Sequence, residues 1–142
     1  MMNIFFYFLI ILLSIIAMEV VAIVTHKYIM HGPGWFLHKS HHTKHNNLFE
    51  LNDVYFIIFA IPSVFCIVYG TYYINFIILS IGIGILGYGF IYVFLHDIFV
   101  HQRIKTKIFS KSKYLKKVRK SHLTHHSIKT KDGAKNFGFI TY

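Results

Sequence analysis

At 142 residues the chain is one domain by length, but 55% hydrophobic and 18% aromatic content and a mean hydropathy of +0.52 lie outside the usual range of soluble domains. A formal net charge of +10 would suggest nucleic acid in a soluble protein, yet every Lys and Arg falls within 27–44 or 103–135, so the charge is a sidedness signal of a membrane protein and no nucleic-acid partner is expected. The single cysteine, Cys66, excludes a disulfide framework and a CxxC metal motif and reads as a small packing residue.

The first predicted element is a transmembrane helix over 4–24, whose one charge is Glu19 and which is long enough to cross a hydrocarbon core of about 30 Å. We expect it to be retained rather than cleaved as a signal peptide, because no Lys or Arg precedes it and its apolar stretch is too long. Glu19 is expensive within a bilayer and is expected either to support a ligand ring, being less than two turns before His26, or to make an interhelical hydrogen bond. Next comes HKYIMHGPGWFLHKSHHTKH, residues 26–45. It contains His26, His31, His38, His41 and His42; His45 falls outside the spacing and reads as a surface residue. A polar passage with Glu50, Asn52 and Asp53 follows, with Asn52 or Asp53 a plausible helix N-cap.

Spans over 54–69 and 74–95 are then predicted as a tight helical hairpin around 70–73, with Pro62 a source of kinking in the first of them. Gly82, Gly84 and Gly87 have the spacing GxGxxG, but no strand precedes them and no acidic residue follows at the distance a dinucleotide site needs. Close helix packing in lipid explains them better, as in the small-xxx-small pair Ser80 and Gly84. Beyond the third span lie His96 and His101 in HDIFVH, a polybasic stretch over 103–120, and His122, His125 and His126 in SHLTHH. The polybasic stretch reads as a solvated face on anionic headgroups, with docking of an acidic electron-transfer partner as the alternative.

Three spans place 25–53 and 96–142 on the same side of the membrane, together with every histidine and every basic residue, and the positive-inside rule makes that side cytoplasmic. The spacings HxxxxH and HxxHH occur twice in that order. In HxxHH the second and third histidines follow the first by three and four residues, so all three share a helix face and can converge on one point or on two neighbouring points. In HxxxxH the offset of five swings the second ring about 140° round an ideal α-helix, so each pair is expected where a helix ends rather than as a same-face clamp; Gly32, Pro33 and Gly34 support this for His31.

Ten imidazoles, at His26, His31, His38, His41, His42, His96, His101, His122, His125 and His126, are about twice what one metal ion uses, which argues for two ions. Neither HExxH nor a helical ExxH pair is present, so the ligands would be almost all histidine. Glu50, Asp53 and Asp97 are candidates to hydrogen-bond the ligand rings from outside. A membrane metal-binding or transport protein is the alternative from another class, but transport asks for polar groups through the spans, which are nearly bare here.

These motifs resemble the integral-membrane fatty acid hydroxylase superfamily and, within it, the bacterial β-carotene hydroxylases. MHGPGWFLHKSHH, FELND, HDIFVHQR and NFGF carry the resemblance, which covers about residues 25–142. It implies a single membrane hydroxylase domain over 1–142 and an all-α fold: a helical bundle of about three transmembrane helices with a cytoplasmic histidine-rich cap, in the cell inner membrane. It also implies two non-haem irons on the ten histidines, O2 as co-substrate, electrons from a reduced ferredoxin-type donor, and hydroxylation of a carotenoid β-ionone ring at C3. A related fatty acid or sterol hydroxylase or desaturase is the alternative within the superfamily. The short chain leaves little protein for a soluble lid, so substrate is expected to enter from the bilayer, and no catalytic residue apart from the metal ligands is expected.

Overall fold

The computed structural model describes residues 3–43, 49–104 and 111–141. His45 and residues 105–110 of the polybasic stretch lie outside the described residues. Every regular element among the described residues is helical, as the expected all-α class requires. In chain order they are α1 (Ile4–Val24), a π-helical segment (Thr25–Met30), α2 (Trp35–His38), a 3-10 turn (Lys39–His42), α3 (Asp53–Tyr72), α4 (Phe76–Tyr92), a second π-helical segment (Val93–Val100) and α5 (Lys113–Ser127). Three stretches are long and apolar enough to cross a membrane: Ile4–Met30, Asp53–Tyr72 and Phe76–Val100.

The first and third of these run further than hydropathy predicts, because each α-helix continues into a π-helical segment that carries histidine. The π turn widens the helix so that backbone bonds run from residue i+5 to residue i. His31 N donates to His26 O at 3.0 Å and His101 N to His96 O at 2.9 Å. Gly32 then lets the chain leave the first segment, since a Cβ there would lie 2.0 Å from Tyr28 O.

The described residues form two compact units. The first comprises the described part of Met1–Met18 and Tyr55–Ile91, with α4 packed between the other two helices. A Cβ on Gly82 would meet Cys66 Cβ and Ile67 N on α3, both at 2.9 Å, and one on Gly84 would meet Ser14 Cβ at 2.5 Å and Ile11 O at 2.8 Å on α1. The glycines therefore serve close backbone approach, and Ser63 Oγ adds an interhelical bond to Gly82 O at 2.9 Å. Most of the large side chains point outward, Phe5, Leu13, Ile16, Ile57, Ile61 and Phe65 among them. In water such helices would aggregate; in hydrocarbon they are at home.

The hairpin between α3 and α4 ends α3 with a Schellman pattern. Asn75 N donates to Gly70 O at 2.8 Å and Ile74 N to Thr71 O at 3.3 Å, after which Asn75 Oδ1 caps Ile78 N. The second unit, Glu19–Val54 and the described part of Tyr92–Tyr142, contains all ten patterned histidines.

Candidate metal centre

Amphipathic α5 buries Val118, His122, His125 and His126 and leaves Lys113, Lys116, Lys117, Arg119 and Lys120 exposed. Ser112 starts the helix by accepting from Leu115 N. In the first half of the chain, α2 and its 3-10 extension bury His38, His41 and His42. The π segments supply His26 and His96 from within and His31 and His101 from their ends.

These side chains meet in two groups. His26, His31, His38, His42 and His125 form one (site 1), and His41, His96, His101, His122 and His126 the other (site 2); in each, the five ligand nitrogens lie within 4.8 Å of one another. Both members of each HxxxxH pair enter the same site, against the expectation from an ideal α-helix. The π turns are the reason, since their i+5 to i bond stacks residues that an α-helix would rotate apart. The ring centroids are 5.3 Å apart for His26 and His31 and 4.5 Å for His96 and His101.

Ring protonation follows from the partners. Carbonyl and carboxylate oxygens only accept, so a ring nitrogen facing one carries the proton. In site 1, Nδ1 donates to Phe137 O from His26 (3.0 Å), to Lys131 O from His31 (2.8 Å), to Asn52 Oδ1 from His38 (2.7 Å), to Ile128 O from His42 (2.8 Å) and to Lys135 O from His125 (2.9 Å). In site 2, His41 Nδ1 donates to Glu50 Oε1 and His96 Nδ1 to Asp97 Oδ1, both at 2.7 Å. Each of these seven rings therefore presents a bare lone pair on Nε2.

Those lone pairs face one another. The Nε2 atoms are 3.0 Å apart for His26 and His38, 3.1 Å for His31 and His125, 3.2 Å for His38 and His42, and 2.9 Å for His41 and His96. With no proton between them such pairs repel and cannot be hydrogen bonds. The separations match the edge of roughly 3.0 Å between neighbouring nitrogens around one ion with bonds of about 2.1 Å. Among the described residues, His126 Nε2 is also buried without a hydrogen-bond partner, a costly state in a closed protein interior. The donor set fits a metal ion at each site.

Burial keeps the rings neutral, which is the form that binds metal. It lowers the His38 pKa to about 3 and those of His42 and His125 to about 4, and lowers His31, His41, His122 and His126 as well. Neighbouring histidines add to the effect at His41, His122 and His126. Around site 2, Arg103 pairs with Glu50, with Asp53 at 2.8 Å and with Asp97 at 3.8 Å. Burial opposes the guanidinium charge, but these three carboxylates more than offset it and hold the Arg103 pKa above its ordinary value.

Four groups act in ways their sequence did not announce. Asn52, expected with Asp53 as a candidate helix N-cap, orients His38 by accepting from its Nδ1. Arg103 ties carboxylates behind site 2 rather than joining a solvated basic face. Glu19 is buried, and its Oε1 accepts from the backbone N–H of Phe139 (3.0 Å), Ile140 and Thr141 (both 2.9 Å) and from Thr141 Oγ1 (2.9 Å). It thus supports site 1 through the tail, whose Phe139 ring stacks on His26 at 5.3 Å. The tail carbonyls at 128, 131, 135 and 137 left no signal beyond the NFGF motif, in which Asn136 takes a left-handed conformation (φ 61°). Gly138 leaves room where a Cβ would strike Thr141 O at 2.4 Å.

The fatty acid hydroxylase family model matches residues 11–142. The chain is 42% identical over 132 residues to a β-carotene hydroxylase of Pseudescherichia vulneris, covering 93% of this chain and 74% of that protein. It is 40% identical over 132 residues to a β-carotene hydroxylase of Pantoea ananas, covering 93% and 75%. A chloroplastic β-carotene 3-hydroxylase of Haematococcus lacustris is 38% identical over 117 residues, covering 79% of this chain and 36% of the algal protein. No solved structure matches.

Proposed function

The chain belongs to the fatty acid hydroxylase family, and on that footing we propose that it is a membrane non-haem di-iron monooxygenase that hydroxylates the β-ionone ring of β-carotene at C3, giving β-cryptoxanthin and zeaxanthin. The observation that carries the metal reading is the pair of five-histidine clusters whose Nε2 lone pairs face one another with their Nδ1 protons already committed. The carotenoid substrate rests on the activity by which the similar bacterial and algal proteins are named.

Site 1 would be held by His26, His31, His38, His42 and His125, and site 2 by His41, His96, His101, His122 and His126. Iron bound there supplies the reductive use of O2 that places one oxygen atom on an unactivated ring carbon and sends the other to water, with two electrons and two protons consumed. The chain's own part is orientation and dryness. Carbonyls and carboxylates fix each ring's tautomer, and Phe137 and Phe139 pack against His26 at 5.3 Å, leaving no room for water on those faces. Among the described residues, neither group contains a cysteine or a carboxylate ligand, so the ions would keep their full charge.

Residues 1–142 act as one membrane hydroxylase domain in this reading, a view supported by the reach of the family match. The confinement of Lys and Arg to 27–44 and 103–135 supports an inner-membrane location with the histidines on the cytoplasmic face. There a reduced ferredoxin-type donor can reach them while the carotenoid enters from the bilayer. The test is expression in cells that accumulate β-carotene and contain a ferredoxin donor, followed by pigment chromatography. Zeaxanthin and β-cryptoxanthin are the expected products. Unchanged β-carotene with altered fatty acids or sterols would refute the carotenoid assignment and favour a lipid hydroxylase or desaturase on the same centre.

A further inference from the structure

The two histidine clusters are alike in ligand count and unlike in what stands behind them. In site 1 all five Nδ1 protons go to neutral acceptors, four backbone carbonyls and the Asn52 amide oxygen. In site 2 two go to carboxylates, Glu50 and Asp97, at 2.7 Å. Both carboxylates are shielded: the Glu50 side chain is 3% exposed and that of Asp97 19%. Arg103 holds them in place together with Asp53, so this cluster carries three acidic side chains against one guanidinium. The tail around site 1 brings Lys129, Lys131 and Lys135 with only Asp132 among them.

We propose that the two sites are inequivalent by construction, with site 2 binding its divalent ion more tightly and first, and with Glu50 and Asp97 as the positioning residues that make it so. The inference rests on the two-metal reading above. A charge-assisted hydrogen bond to a carboxylate is stronger than one to a carbonyl and draws the Nδ1 proton outward, which makes Nε2 a better donor to a cation. The carboxylates also bring negative charge near an ion that five neutral imidazoles leave uncompensated. Burying a dication among neutral groups is costly; at site 1, whose His26, His38, His42 and His125 are nearly inaccessible, the Glu19 carboxylate is engaged by the tail amides, so less of that cost is offset there. Arg103 keeps Glu50, Asp53 and Asp97 from repelling one another and so lets two of them face ligand rings.

The experiment uses the full chain in detergent, stripped of metal, with zinc as the probe and a chromophoric chelator as competitor. One version has His31, His38 and His42 all changed to Ala, leaving only site 2 competent. Another has His101, His122 and His126 changed to Ala, leaving only site 1. Site 2 should hold zinc at least about tenfold more tightly. Glu50→Gln and Asp97→Asn should each weaken it by about 10–100-fold, the usual range for an outer hydrogen-bond partner, and should weaken site 1 clearly less. The same contrast is read with all ten histidines present, where the native chain should take up zinc in two resolved steps and Glu50→Gln should weaken the tighter one. Equal affinities, a tighter site 1, or equal loss at both sites on Glu50→Gln overturns the inequivalence. Uptake of fewer than two zinc ions by the native chain overturns the two-metal reading itself, a separate and distinguishable result.

Discussion

Replacing Glu19 with Ala removes the carboxylate on whose Oε1 three backbone N–H groups and the Thr141 hydroxyl converge at 2.9–3.0 Å. A hydrogen bond to a charged acceptor contributes about 1.5–3 kcal/mol. Only the Phe139 N–H is fully buried; the other three donors are part-buried and regain water when the tail lifts. The net loss is therefore about 3–5 kcal/mol rather than the sum of four full bonds. At about 1.4 kcal/mol per tenfold, the closed tail becomes less populated by a factor of about 100 or more. Four of the five Nδ1 acceptors of site 1 lie in residues 128–137, so metal affinity there should fall with it. The carboxylates behind His41 and His96 do not belong to the tail, so site 2 should be much less affected. Amide hydrogen exchange at Phe139, Ile140 and Thr141 reads the tail, and zinc competition reads the site. Protected amides together with unchanged zinc affinity in Glu19→Ala would refute the reasoning.

The metal-free chain should lose stability as pH falls. His38 at about 3 and His42 and His125 at about 4 lie below the ~6.5 of an unfolded histidine, so the folded chain binds fewer protons between those values and its stability rises with pH through that window. The loss sets in below about pH 6.5 and for these three rings is on the order of 4 kcal/mol between pH 7.5 and 5.5; it is read from denaturant midpoints followed by fluorescence of Trp35, which packs on His31 at 5.1 Å, and flat midpoints would contradict it. Because His125 belongs to site 1 although it shares α5 with His122 and His126 of site 2, the double variant His38→Ala/His125→Ala should keep one zinc per chain, whereas His122→Ala/His125→Ala should weaken both sites. Zinc stoichiometry near stoichiometric concentration separates the two.

The spans and the histidine groups were legible because both are written in composition and spacing. Long apolar runs announce themselves, and ten histidines in four spaced groups are hard to mistake for surface residues. What could not be read was the backbone between them. An i+5 spacing means divergence on an α-helix and convergence on a π turn, and nothing in THKYIM or VFLHDIFV distinguishes the two before the site is assembled. Four of the five acceptors behind site 1 are backbone carbonyls, which every residue has, so no side chain marks Ile128, Lys131 or Lys135 for that role. Arg103 was read by a local rule, as a member of a basic run, and its tertiary carboxylate partners overrode that; Asn52 was read only as a candidate cap, and its part in orienting His38 is a tertiary contact that no local rule announces.

Each HxxHH group is divided between the two sites, with the histidine at offset three crossing over. In α5, at about 100° per residue, offsets of three and four place the rings about 60° to one side and 40° to the other of His122, and the nearer ring stays with it. The first group reaches the same division across α2 and its 3-10 extension. Thus His38 and His42 stay with His26 and His31 while His41 crosses to site 2, and His122 and His126 stay with His96 and His101 while His125 crosses to site 1. Each half of the chain builds four ligands of one site and lends one to the other. The adjacent pairs 41/42 and 125/126 span the boundary, and the His42 and His126 rings stack across it at 4.5 Å and 16°. Neither cluster can be completed by one half alone, so forming one site holds both halves in the register that the other requires. The repeated spacing is in this sense a means of fixing two five-histidine clusters at a set separation, because the helical turns that carry the crossing histidines are the ones that carry those that stay.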